Sequence, residues 1–133
     1  NKNGAFRWKS LPDLNINLSN MKLKKIKHEL SRLASIENKN IKLEQYATPV
    51  EIAATMISII NENSEGLVGK KIADFGCGNG ILGIGASLLD PQLVFFFDID
   101  FKSLLMSQTN ARLFGNSNVY MEFVHLDLTC ENF

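Results

Sequence analysis

No apolar run of about 18 residues occurs anywhere in the chain, so the sequence offers no helical membrane span. The first residues also lack the basic-then-apolar pattern of a secretory signal. Cysteine is scarce. Cys77 and Cys130 stand alone with no metal-ligand spacing, so no metal site is expected and a disulfide scaffold is excluded. The expected setting is reducing and intracellular, with the cytoplasm first and the nucleus as a further compartment. Excess charge of either sign is missing too: 14 basic and 14 acidic residues cancel. Any binding to nucleic acid must then come from a local patch rather than the molecule's overall field. There is no internal repeat.

What is present suits one soluble domain. The 133 residues are 45% hydrophobic and 21% charged, within the roughly 100–200 residues of an ordinary domain. Residues 1–20 are rich in Asn with scattered Lys, Pro and Gly, and read as a flexible extension. From Met21 to Ile36, Leu23, Ile26, Leu30 and Leu33 recur at helical spacing. Lys22, Lys24, Lys25, Lys27 and Arg32 make the other side of that helix basic. A solvated face explains these cations as well as an RNA-contacting one does.

"EQYATPVEIAATMISII" carries a helix start. Thr48 is placed to cap, Pro49 suits the first helical position, and Glu51 completes a capping box, with Ala47 and Ile52 as a small staple. The polar Glu44-Gln45-Tyr46 before it is left without a structural role.

Lys71–Phe75 then reads as a short buried strand, followed by a glycine-rich loop and a helix from Ile81 to Leu89 that Asp90-Pro91 stops. Leu93–Phe97 is an apolar strand ending at Asp98, its phenylalanines expected in the core. Asp100 can cap a helix to Phe114, with Gly115 terminating it. Val119–Leu126 is a third strand ending at Asp127. This alternation predicts an α/β, Rossmann-like fold: three parallel strands with flanking helices, preceded by an N-terminal helix.

Ligands of open parallel sheets collect beyond the carboxyl ends of the strands. Three successive strand ends here carry an acid: Asp74, Asp98 and Asp127. "GNGILG", with Gly78, Gly80 and Gly83, fits a dinucleotide loop, and Asp98 follows at the distance a ribose diol requires. S-adenosylmethionine presents the same diol. Asp74 favours the second ligand, because a carboxylate beside the loop repels a pyrophosphate and suits the ammonium and sulfonium of S-adenosylmethionine; a solvated or backbone-capping carboxylate is the other reading of this residue. Asp127 can accept from an adenine amino group while the Leu128 amide donates; a loop aspartate making a turn is the commoner reading of such a residue.

"DFGCGNG", "FDID" and "HLDL" together resemble the class I S-adenosylmethionine-dependent methyltransferases. "LEQYATPVEIAATM", "KKIADFGCGNGILGIGASLL" and "VFFFDID" resemble, more narrowly, methyltransferase-like protein five and its archaeal relatives, from about Met21 to Leu128. The resemblance implies N6-methylation of an adenosine in small-subunit ribosomal RNA, with S-adenosylmethionine as cofactor. It implies a small zinc-containing activator protein as partner, expected on the edge strand Val119–Leu126.

By position, the resemblance puts Gln45 and Thr48 against the cofactor, Gly76, Asn79 and Ile81 along the loop, Asp98 on the ribose, and Asp127 with Leu128 on the adenine. Asp74 and Gly78 complete the expected cofactor site. Cys77 carries no catalytic role, and the loop position where relatives often have a second cysteine holds Asn79. The family's Asn-Pro-Pro-Phe signature does not occur, so catalytic residues are not assigned. The chain is expected to be the N-terminal, cofactor-binding half of such an enzyme and inactive alone. A nicotinamide-dependent oxidoreductase and a non-catalytic methyltransferase-like module remain the alternatives.

Overall fold

A computed structural model describes residues 11–37 and 47–130. Helices α1 (Leu11–Glu37) and α2 (Val50–Asn63) precede an alternation of β1 (Lys71–Phe75), α3 (Ile81–Ser87), β2 (Leu93–Asp98), α4 (Phe101–Phe114) and β3 (Tyr120–His125). The strands lie parallel in the order β1-β2-β3, with Asp74 opposite Phe96 and Asp98 opposite His125. The α/β architecture expected from the sequence is therefore present.

Side chains alternate between the two faces of a strand, and here the faces differ. On one face Val94 and Phe96 are fully buried, and Phe96 stacks on Phe123 with ring centroids 4.7 Å apart. Burying a side chain of this size stabilises by about 1.5–3 kcal/mol. Helices α3 and α4 cover this face, and α1 packs on both of them as well as on α2. Leu30 and Leu33 of α1, Ala53 and Ile57 of α2, and Ile84 of α3 close the core. Glycines allow the close approach. A Cβ at Gly83 would stand 2.3 Å from the Phe96 ring, and one at Gly85 2.3 Å from the Ile57 side chain.

The other face is open among the described residues. Phe75, Phe95 and Phe97 form a stacked row there, with centroids 5.0 and 5.8 Å apart, and Phe75 is 61% exposed. This corrects two expectations. Strand β1 is buried on one face only, and of the three consecutive phenylalanines only Phe96 is core. Period-2 geometry is the cause, since consecutive residues cannot share a face.

Helix ends bring further corrections. Helix α1 begins at Leu11, so half of the stretch read as an extension is helical. Leu11, Leu14, Leu18 and Met21 continue the helical spacing backwards, and Pro12 is tolerated in a first turn. Pro49, not Thr48, is the N-cap of α2, with no side-chain cap hydrogen bond. A residue before proline is driven to extended backbone. Glu51 pairs with Lys27 at 2.6 Å instead of reaching back to the cap. Ala47 and Ile52, expected as a staple, are both exposed. Asp100 caps α4 as expected, its carboxylate accepting from the Lys102 and Ser103 amides at 3.2 Å.

Candidate functional site

The parallel register brings the carboxyl ends of all three strands to one edge of the sheet. The loop between β1 and α3 turns there through Gly76, Gly78 and Gly80, with φ of 69°, 54° and 86°. Only glycine adopts this left-handed backbone without cost. Open space lies where side chains at Gly76 and Gly78 would stand, whereas a Cβ at Gly80 would meet Ser107 at 2.9 Å. The first two glycines thus leave room above the loop; the third seats it on α4.

The loop is stapled to β2. The Phe97 carbonyl accepts from the amides of Gly76 and Cys77 at 2.8 and 2.9 Å. The half-buried Asp98 carboxylate accepts the Gly78 amide at 2.9 Å through Oδ2 and the Asp100 amide at 2.8 Å through Oδ1. Each carboxylate oxygen retains a lone pair for a further donor. A diol arriving at this edge would meet an acceptor already held in place.

Asp74 lies beneath the loop, nearly buried, and its Oδ2 accepts the Gly83 amide at 2.9 Å in the first turn of α3. Burial pushes its carboxyl pKa up; the Gly83 bond opposes the shift, and the nearby Asp98 charge adds to it. Asn79 Oδ1 takes the Ile81 amide at 3.0 Å. Two amides that a pyrophosphate would seek at this helix start are therefore committed to side chains.

Other expected residues are placed as follows. The side chains of Asn79 and Ile81 are buried. Asp127 is half-buried just past β3. Its Oδ1 accepts from the Thr129 hydroxyl at 2.6 Å and the Thr129 amide at 2.8 Å, and these bonds hold its pKa below the usual carboxylate value. The turn reading accounts for this geometry. Leu128 is 50% exposed beside it, and Thr48 is half-buried at the entry to α2. Gln45 lies outside the described residues.

The inner face of α4 was not anticipated. Ser103, Ser107 and Asn110 are buried polar residues at helical spacing. Asn110 Nδ2 donates to the Asn79 carbonyl at 3.0 Å, and the Cys77 thiol lies 3.6 Å from the Ser107 hydroxyl. The signal in the sequence was a polar stripe on the side that should have been apolar. Ser107 and Asn110 hold the glycine loop, while the Ser103 hydroxyl donates to the Asp100 cap. His125 was also overlooked; its Nε2 lies 2.7 Å from the Ile99 carbonyl. Among the described residues no group of three metal-ligating side chains occurs, and no helix is long and apolar enough to cross a membrane.

Residues 53–131, more than half of the chain, match the family model of ribosomal protein L11 methyltransferase (PrmA). A Danio rerio protein named rRNA N(6)-adenosine-methyltransferase METTL5 is 38% identical over 99 residues, which are 74% of this chain and 48% of that protein. A ribosomal protein L11 methyltransferase of Pseudoalteromonas atlantica is 57% identical over 42 residues, 32% of this chain and 14% of its own. Among solved structures, a protein of Pyrococcus horikoshii described as a candidate RNA methyltransferase superposes with a TM-score of 0.51 at 28% identity. The match covers 61% of this chain and 40% of that one. The chain thus spans about half the length of the curated METTL5 relative it matches.

Proposed function

Because the chain belongs to the methyltransferase family described by the ribosomal protein L11 methyltransferase (PrmA) model, we propose that it binds S-adenosylmethionine at the strand ends and serves N6-methylation of adenosine in ribosomal RNA. Class I methyltransferases use this cofactor in general. The observation that carries its placement here is the pair of carboxylates around one loop. Asp98 is held by Gly78 at 2.9 Å on the ligand side, and Asp74 occupies the Gly83 amide below. Asp98 would take the ribose diol, the space above Gly76 and Gly78 the methionine part, and the Asp127–Leu128 segment the adenine. Asn79 and Ile81 would act through the backbone. Thr48, and Gln45 before it, would close the methionine side. An oxidoreductase reading is disfavoured, since Asp74 and Asn79 take amides that a pyrophosphate needs.

The RNA substrate is proposed from the METTL5 relatives. The alignment with the Danio rerio relative, 99 residues long, exceeds the 79 of the family-model match and so includes positions outside it. The L11 enzyme's higher identity is confined to 42 residues. On the chain itself, the exposed Lys22, Lys24 and Lys25 of α1 are the local basic patch that a neutral protein needs to hold a phosphate backbone.

A protein acceptor is the second reading, favoured by the family model. Tritiated S-adenosylmethionine offered with small-subunit rRNA and with protein L11 separates them. The chain is supplied alone and together with the C-terminal half of the Danio rerio relative. Label on adenosine N6 in the complemented sample supports the proposal. Label on L11 supports the alternative. Cofactor binding without transfer to either would leave a binding module.

We also propose the edge of β3 as the seat of a small zinc-containing activator. This strand pairs with β2 alone among the described strands, with Tyr120 78% exposed. Strand addition would complete its open ladder.

A further inference from the structure

The turn that follows Asp98 has little apolar packing to hold it. Ile99 and Phe101, which bracket it, are 62% and 55% exposed. Beside the Gly78 and Asp100 amides that hold the carboxylate, polar contacts reach this turn from the neighbouring strand end. The Leu126 amide donates to the Asp98 carbonyl at 3.0 Å. His125, paired in register with Asp98, places Nε2 2.7 Å from the Ile99 carbonyl. A carbonyl only accepts, so Nε2 carries the hydrogen and donates. The same imidazole meets the Phe101 ring edge-on, with centroids 5.7 Å apart at 67°. One exposed side chain thus touches both residues that bracket the turn.

We infer that His125 is a positioning residue for the cofactor's nucleoside end: its Nε2–H fixes the turn from Asp98 to Phe101 and thereby aims the Asp98 carboxylate at the diol. This rests on the cofactor reading given above. His125 acts through Asp98 and touches no reacting atom. Its removal should loosen recognition while leaving the fold intact, because the side chain is exposed and outside the core.

The test titrates S-adenosylmethionine into the wild-type chain, His125→Ala and His125→Gln, with thermal unfolding of each as a control. Glutamine offers an N–H donor at about the reach of Nε2. The alanine variant should bind about tenfold more weakly, the size expected for one net hydrogen bond. The glutamine variant should recover most of that loss, with all three unfolding at similar temperatures. Amide exchange in the absence of ligand gives a second readout: the Asp100 amide, bonded to Asp98 Oδ1, should exchange faster in the alanine variant alone. Wild-type binding with an equally tight alanine variant, or a loss that glutamine does not rescue, would overturn the role of His125 and leave the cofactor reading standing. A wild-type chain that does not bind S-adenosylmethionine would overturn both.

Discussion

The Asp74 carboxylate accepts the Gly83 amide at 2.9 Å, linking the end of β1 to the first turn of α3 beneath the glycine loop. This contact makes Asp74 a structural acid as well as an electrostatic one. It sits where a nucleotide's phosphate would otherwise find the helix start, and it makes that site negative. The Asp98 charge lies close enough to disfavour its ionisation. A cationic ligand arriving above the loop would offset that repulsion.

Asp74 sets a pH dependence whose sign follows from its raised pKa. An acid with a folded pKa above its ordinary 3.8 binds its proton more tightly when folded. Its stabilising contribution is complete below 3.8 and is lost as pH rises through the folded value. The Asp74→Asn variant keeps an oxygen for the Gly83 amide and removes the titration. Melting temperatures measured as pH rises from 3.8 to neutrality should fall less steeply in the variant than in the wild type.

Gly83 is required by packing. Its φ is ordinary, but a Cβ would enter the Phe96 ring at 2.3 Å. Gly83→Ala should lower stability by about 1–3 kcal/mol, as overpacking of a core does. Urea unfolding would show it as a lower midpoint at unchanged slope.

Asp100 caps α4 with two amides and the Ser103 hydroxyl, the latter at 2.8 Å. Asp100→Ala should cost about 0.5–2 kcal/mol. Chemical denaturation again measures it, and a change near zero would contradict the cap.

Burial pushes the Cys77 thiol up to about 11, with the Ser107 hydroxyl opposing the shift in part. It therefore remains protonated and unreactive at neutral pH. Cys130 is exposed. Iodoacetamide followed by mass mapping should label Cys130 first, with Cys77 modified only on unfolding.

Much of this architecture was legible in the sequence, for identifiable reasons. The strands ending at Phe75 and Asp98 are bounded by glycine and acid signals that local chemistry enforces, and Asp100 carries its cap in its own identity. What depended on neighbours was not legible. Thr48 looked like a cap because its hydroxyl suits the role, but the proline after it set the backbone first. Phe95 and Phe97 looked like core because nothing local says which strand face will be covered. Asp127 took its turn with Thr129, a local competitor for any ligand. The Asn79 side-chain oxygen accepts the Ile81 amide, and Asn110 holds the Asn79 backbone carbonyl from 31 residues away. Such long-range polar contacts leave only a faint trace in one sequence, the stripe Ser103, Ser107 and Asn110.

The most direct test of the account is calorimetric titration of the chain with S-adenosylmethionine and, in parallel, with NAD, using Asp98→Ala as the control. S-adenosylmethionine alone should bind, with affinity lost in the variant because both the diol acceptor and the Gly78 tether go with the carboxylate. Binding of NAD, or S-adenosylmethionine binding that survives the loss of Asp98, would contradict it.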